Sequence, residues 1–201
     1  MTRRQFISTS AVLPAAASAG PAPLIVPLHR MLDSRAKYTQ DQFRRFSWSI
    51  WPEAVRDFNR CGIQFQGTEG PGEIKRLPSG GPIFVGLERS VINMVITDQI
   101  PTDLGGLAGV TTIYEGYHLC IIALRNAHGH QIPFLSVNTC VHELLHALLG
   151  DIFISRPTRL QTGGGEFRID SCASRLWLFN DGAAIRDAAQ AYVARLRSTA
   201  V

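Results

Sequence analysis

The sequence lacks several features that would assign it to a common class of protein. Its four cysteines include no CxxC pair, which argues against a cysteine-ligated zinc site. It has no basic run with interleaved aromatic residues, and a formal net charge of +4 over 201 residues is too small to indicate a nucleic-acid-binding protein. Beyond a short amino-terminal stretch, no apolar run is long enough for a membrane-spanning helix. With 45% hydrophobic and 18% charged residues, the composition is that of an ordinary globular protein.

The first twenty residues, MTRRQFISTSAVLPAAASAG, have the parts of a targeting segment. Arg3 and Arg4 are followed by a Phe-Ile pair, a short apolar stretch and small residues that end at Ala19. This stretch resembles the bacterial twin-arginine export signal. The resemblance implies that residues 1–19 are a signal peptide and that the mature protein, with two positive charges fewer, is exported to the periplasm or the extracellular space without stable insertion in a membrane.

Export affects how the cysteines are interpreted. In an oxidising compartment the four could form two disulfides in any of three pairings, or could remain buried thiols: Cys61, Cys120, Cys140 and Cys172. Twin-arginine substrates generally fold before export, as the resemblance implies, and folding that depends on disulfides would then be difficult. The sequence leaves both alternatives open.

The chain after the leader is predicted to consist of an extended, proline-rich linker over residues 20–45 and one domain over residues 46–201. Within the domain the first helix is predicted around SIWPEAVRDFNRCG, with Ser49 as its cap and Gly62 as its stop. The alternating segment IQFQ predicts a strand that ends at a glycine-rich turn.

Further strands are predicted at PIFVGL and INMVIT, and one or two in the segment LGGLAGVTTIYEGYHLCIIALRNA. The carboxy-terminal segment NDGAAIRDAAQAYVARLRS has helical periodicity, with Ile185, Ala189, Tyr192 and Leu196 among the apolar residues of one face. Strands followed by helices predict an α+β fold, in which helices pack on one side of a small mixed sheet.

The segment VHELLHALLGD, Val141 to Asp151, carries two of the six histidines. Asn138 or Thr139 could cap a helix here, and Gly150 falls where a left-handed helix end is expected. The segment is therefore predicted to be a helix of about three turns.

This predicted helix has one polar arc. Each residue advances by about 100°, so that with His142 at zero, Glu143 lies at about 100° and His146 at about 40°. The apolar side chains lie between about 200° and 300°, on the opposite side: Val141, Leu144, Leu145 and Leu148. The pattern predicts a helix that buries one face and directs two imidazoles and a carboxylate from the other.

The residue types on this arc suit a zinc site. Imidazoles at i and i+4 lie on successive turns and can bind one tetrahedral Zn²⁺, which lowers the pKa of a water molecule. Glu143 lies on the same arc and can take the proton from that water. HELLH thus fits the HExxH motif of zinc peptidases.

An acidic pair follows the motif at a characteristic distance. Glu166 lies twenty residues after His146, and Asp170 lies four residues after Glu166. HExxH with this later ExxxD resembles the gluzincins, the thermolysin-type zinc peptidases, and is similar to small bacterial gluzincins related to phage-repressor-cleaving peptidases. The resemblance implies a zincin-like α+β fold, zinc ligands His142, His146 and Glu166, Glu143 as the base, and Asp170 as the residue that orients a ligand histidine.

A second resemblance competes for the third ligand. The glycine-rich LGGLAG, a following strand and then HExxH look like the metzincins, whose third ligand comes just after a glycine turn. Here Gly150 comes one residue late and is followed by Asp151, and the last methionine is Met94, so the methionine turn of that family is absent. The sequence favours Glu166 over Asp151.

Taken together, the motifs predict an exported zinc-dependent metalloendopeptidase whose peptide or protein substrate adds as an extended strand to a sheet edge, in the LGGLAGVTT region. One alternative is a non-catalytic zinc protein or partner-binding scaffold with Cys172 as a fourth ligand, and another is a zinc hydrolase with a non-peptide substrate. The loop histidines His128 and His130, and the strand residue His118, are weaker candidates for site residues.

Overall fold

A computed structural model of the chain describes residues 22–36, 40–76, 82–98, 100, 109–124, 133–149, 178 and 180–198. The described part is a mixed α+β fold, as predicted. Its elements, in chain order, are β1 (Leu24–Asp33), α1 (Gln40–Arg45), a π-helical turn (Phe46–Ile50), α2 (Trp51–Arg60), β2 (Ile63–Arg76), β3 (Pro82–Val85), β4 (Ile92–Thr97), β5 (Gly109–Tyr114), β6 (Tyr117–Ala123), α3 (Pro133–Leu149) and α4 (Gly182–Ser198). None of the helices among these residues is both long and apolar enough to cross a membrane.

The six strands form one mixed sheet in the order β3-β2-β1-β4-β6-β5. The inner strands are parallel: β1 pairs with β2 on one side and with β4 on the other, and β4 pairs with β6. The two end strands, β3 and β5, are antiparallel to their neighbours. In the described part of the chain β5 therefore has one unpaired edge, and it lies at the same side of the sheet as β6, the strand that precedes α3.

The segment predicted to be an extended linker, residues 20–45, contains a strand of the sheet at Leu24–Asp33 and the helix α1 at Gln40–Arg45. Leu24–Asp33 forms β1, which pairs with β2 along its whole length and with β4 from Leu28 to Leu32. Pro27 made an interior strand improbable, because proline cannot donate a hydrogen bond to a neighbouring strand. The pairing with β4 begins only at Leu28, one residue later, so the missing N–H of Pro27 is tolerated.

Two other strand and helix boundaries differ from the predictions. The prediction of a glycine-rich turn after IQFQ is wrong, because β2 continues to Arg76 and pairs with β1 and β3. A Cβ at Gly72 would lie 2.8 Å from Cβ of Met31, so glycine here lets the two strands approach closely. At the first helix Ser49 is not the cap, since the π-helical turn precedes α2, whereas Gly62, with φ of 70°, does follow the helix end.

Most of the core lies between the sheet and the helices. On the helix side β4 contributes Ile92, Met94 and Ile96, and α3 and α4 contribute a continuous set of buried side chains that includes Val141, Leu144, Leu145, Leu148, Ile185, Ala189, Tyr192, Val193 and Leu196. The predicted apolar faces of both helices are confirmed. Burying one Leu or Ile side chain contributes about 1.5–3 kcal/mol, so this layer is the main source of stability.

A smaller cluster covers the opposite face of the sheet and includes Val95 and Leu119. At one end of that face, the hydroxyl of Thr97 donates to Oδ2 of the buried Asp33 over 2.9 Å. The backbone N–H of Ile74 donates to the other carboxylate oxygen of Asp33 over 3.3 Å. These bonds connect β1, β2 and β4 and have a structural role.

Candidate functional site

The helix that carries the HExxH motif is longer and more deeply buried than the sequence predicted. It begins at Pro133, so the prediction that Asn138 or Thr139 caps it is wrong; both lie inside α3 and are buried. Proline suits the first turn, where its missing N–H would have no helical partner. The predicted stop, Gly150, lies outside the described residues.

The two motif histidines are the least buried side chains of the described part of α3. From Val137 to Leu149, every side chain is buried except those of His142 and His146, which are half-buried. Glu143 is only 4% exposed. The prediction that the polar side chains of this helix point away from its buried face therefore holds for the two imidazoles and is wrong for the carboxylate. The physical reason is β5, which packs against the side of α3 that carries Glu143.

The imidazoles of His142 and His146 converge. Their Nε2 atoms are 3.0 Å apart, and the ring centroids are 4.5 Å apart with the ring planes at 88°. Burial, and then the proximity of His142, lower the pKa of His146 to about 4, so this ring is neutral at physiological pH. Neutral imidazole is the form that binds metal ions.

The separation of the two nitrogens fits a shared zinc ion. Two nitrogens bound at 2.0–2.1 Å to one tetrahedral zinc lie roughly 3.3 Å apart. The observed 3.0 Å needs only a small adjustment of the rings to reach that value. The pair could therefore supply two of the three protein ligands that a catalytic zinc site requires.

Glu143 is held between α3 and the end strand β5. The Thr111 hydroxyl lies 2.6 Å from its Oε2 and 3.0 Å from its backbone carbonyl oxygen. Burial raises the pKa of Glu143 to about 7, and the hydrogen bond from Thr111 partly opposes this rise. A carboxyl group with such a pKa can both accept and return a proton near neutral pH.

Gly109 leaves the space that the Glu143 side chain occupies. A Cβ at this position would lie 2.6 Å from Oε1 and 2.7 Å from Cγ of Glu143, and 2.5 Å from the methyl carbon of Thr139. The backbone of β5 thus contacts the carboxylate directly. Neither Thr111 nor Gly109 was identified from the sequence, because their contacts with Glu143 bridge 32 residues or more; the glycine-rich run before β5 was the one available signal.

The described cysteines are free thiols: Cys61, Cys120 and Cys140. Each of the three possible two-disulfide pairings would join two of these three residues, so a two-disulfide framework is not formed. Burial raises the pKa of Cys120 to about 12 and also raises the pKa of Cys140. Both therefore remain protonated and inert, since the thiolate is the reactive form.

The weaker candidates have structural contacts where the structure describes them. The ring of His118 packs edge-on against Tyr192 of α4, with centroids 5.1 Å apart, and burial lowers its pKa. His128 and His130 lie outside the described residues.

The third-ligand candidates, Glu166 and Asp151, and the orienting residue Asp170 also lie outside the described residues. Within the described ranges, no group of three or more His, Cys, Asp or Glu side chains could hold a metal ion. The described site thus consists of an imidazole pair and a buried carboxylate beside a sheet edge. No protein-family model, curated protein or solved structure matches this chain.

Proposed function

We propose that this chain is an exported zinc-dependent metalloendopeptidase with a zincin-like fold. The observation that carries the proposal is the convergence of the His142 and His146 Nε2 atoms, 3.0 Å apart, on a helix whose Glu143 contacts an end strand. The mixed sheet with α3 packed on one face is the architecture expected for a zincin. The twin-arginine motif at Arg3 and Arg4 supports export.

His142, His146 and Glu166 would hold Zn²⁺, with Asp170 orienting one of the histidines. When bound, the ion would lower the pKa of a water molecule and polarise the carbonyl of the bond to be cleaved. The lowered pKa of His146 keeps its imidazole neutral, which is the form that binds metal ions.

The substrate would bind along β5. This strand has an unpaired edge in the described part of the sheet, and Ile113 is 67% exposed there. An extended peptide that adds to the edge forms backbone hydrogen bonds that depend little on its sequence. Because β5 contacts Glu143, a peptide in this position would lie beside the carboxylate.

Glu143 would act as the general base. Its carboxylate would take a proton from the attacking water and pass it to the nitrogen of the leaving amine. The pKa of about 7 suits both transfers, because a group with a pKa near the working pH is populated in both forms. Burial beneath β5 excludes bulk water from one side of the carboxylate.

Peptide hydrolysis with and without metal tests this proposal. We expect the purified protein to contain one zinc per chain, to cleave an unfolded protein and a peptide library, to lose activity on chelation and to regain it with added zinc. Stoichiometric zinc with no cleavage of either substrate would contradict the endopeptidase and favour a closed zinc site with Cys172 as the fourth ligand.

Zinc content, measured on two variants, identifies the third ligand. We expect Glu166→Ala to lose zinc, and Asp151→Ala, the matched control, to retain it. A Glu166→Ala variant with the zinc content of the wild type would move the assignment to Asp151.

A further inference from the structure

Thr111 contacts both the side-chain carboxylate and the backbone carbonyl of Glu143. Its Oγ1 lies 2.6 Å from the carboxylate oxygen Oε2 and 3.0 Å from the backbone carbonyl oxygen of the same residue. A distance of 2.6 Å is short for an O–H···O hydrogen bond and is typical of one with a charged partner. The hydroxyl is therefore a close neighbour of the carboxylate across the interface between β5 and α3.

The Thr111 hydroxyl can reach two oxygen atoms of Glu143. It has one hydrogen to donate, and its Oγ1 lies within hydrogen-bond distance of both the carboxylate oxygen Oε2 and the backbone carbonyl oxygen of Glu143. Because both acceptors belong to one residue, the hydroxyl joins β5 to the side chain and to the backbone of Glu143 on α3.

The rest of the surroundings limit where the carboxylate can lie. Gly109, two residues earlier on β5, comes so close that a Cβ would meet Oε1 at 2.6 Å. The side chain of Glu143 is thus confined by the strand backbone on one side and bound by Thr111 through the other carboxylate oxygen.

We propose that Thr111 is a positioning residue that holds the Glu143 carboxylate in place for proton transfer. The inference rests on the proposed function, and it adds a residue outside the HExxH motif to the site. Because Thr111 lies on β5, the strand that would bind the substrate also fixes the position of the base. Peptide binding and base orientation thus depend on one strand.

Substitutions at Thr111 test the role. Thr111→Val keeps the β-branched shape and removes the hydroxyl, and we expect kcat to fall by about tenfold to a hundredfold, the effect of a small misplacement of a catalytic group. KM and zinc content should remain those of the wild type, and Thr111→Ser should restore most of kcat. If valine prevents folding, Thr111→Ala removes the same hydroxyl without added bulk.

Thr97→Val is the matched control, since it also removes a hydroxyl that donates to a buried carboxylate, that of Asp33. We expect it to lower stability and to leave kcat unchanged. In the Glu143→Gln background, Thr111→Val should cause no further loss of kcat, because the base it positions is already absent.

A second measurement does not depend on activity. In the metal-free protein, Thr111→Val should lower the denaturation midpoint in the presence of Glu143 and lower it much less in a Glu143→Ala background, whereas Thr97→Val should have the same effect in both. Equal shifts for Thr111→Val in the two backgrounds would overturn the proposed contact.

The outcomes separate the two proposals. A wild-type protein with no hydrolytic activity would overturn the proposed function and, with it, the positioning role of Thr111. Wild-type hydrolysis together with a Thr111→Val variant as active as Thr97→Val would overturn only the role of Thr111.

Discussion

Glu143→Gln is expected to retain zinc and to lose peptide hydrolysis by about 10²- to 10⁴-fold, the contribution of a positioned general base. Glutamine has nearly the same shape as glutamate and can still accept the hydrogen bond from Thr111, so the fold and the imidazole pair should be unchanged. It cannot take a proton from water. The measurements are zinc content by elemental analysis and kcat on a fluorogenic peptide.

Glu115→Gln provides the control for this change, because Glu115 is an exposed carboxylate on the turn between β5 and β6. We expect its zinc content and kcat to match the wild type. Turnover by Glu143→Gln at the wild-type rate would exclude Glu143 as the base and would leave no carboxylate of the HExxH motif to carry out the proton transfer.

The metal-free protein should become more stable when Glu143 is replaced by glutamine, and only above about pH 5. Burial raises the pKa of Glu143 from 4.5 to about 7, so the folded protein binds a proton at this site more tightly than the unfolded chain does. The stabilisation by that proton is complete below pH 4.5 and is lost as the pH rises through 7. At pH 8 the buried charge costs on the order of 3 kcal/mol, which glutamine avoids.

The free energy of unfolding, measured by denaturant titration at pH 5 and pH 8 after chelation, checks this expectation. The difference between Glu143→Gln and the wild type should be small at pH 5 and on the order of 3 kcal/mol at pH 8. His146 also titrates in this range, but it is present in both proteins, so its contribution largely cancels in the comparison. A difference that does not change with pH would contradict the burial of an ionisable Glu143.

The helices α2, α3 and α4 and the short strands of the fold could be predicted because their signals are local. The faces of α3 and α4 follow from the spacing of apolar residues, and INMVIT is apolar enough to identify β4. The segments that were predicted wrongly contain proline or glycine, as β1 and β2 do. Their strand conformation comes from pairing with each other along ten register positions, from Leu24↔Ile63 to Asp33↔Gly72, which local sequence does not reveal.

One part of the candidate site could likewise be predicted from local sequence and another could not. The convergence of His142 and His146 could be predicted because residues at i and i+4 of a helix are neighbours whatever surrounds them. The burial of Glu143 could not, because it depends on β5, which is distant in the sequence. Helical periodicity placed Glu143 about 100° from His142 but contained no information on which neighbouring element would cover that angle.

The amino-terminal end of α3 shows that a good capping residue does not by itself determine where a helix begins. Asn138 and Thr139 have the side chains of good caps, but both are buried within the helix. The helix begins at Pro133, and Val137, which precedes both of these residues, is already part of the core between the sheet and the helices. Capping signals therefore placed the start of α3 one or two turns too late, because tertiary packing decides where this helix begins.

Zinc titration of the metal-free protein by calorimetry tests most directly whether the two imidazoles bind one ion. We expect one tight site per chain in the wild type, loss of that site in His146→Ala, and an unchanged site in His118→Asn, a control because the His118 ring packs against Tyr192. A wild-type protein that binds no zinc, or a His146→Ala variant that binds it as tightly as the wild type, would contradict a zinc site at His142 and His146.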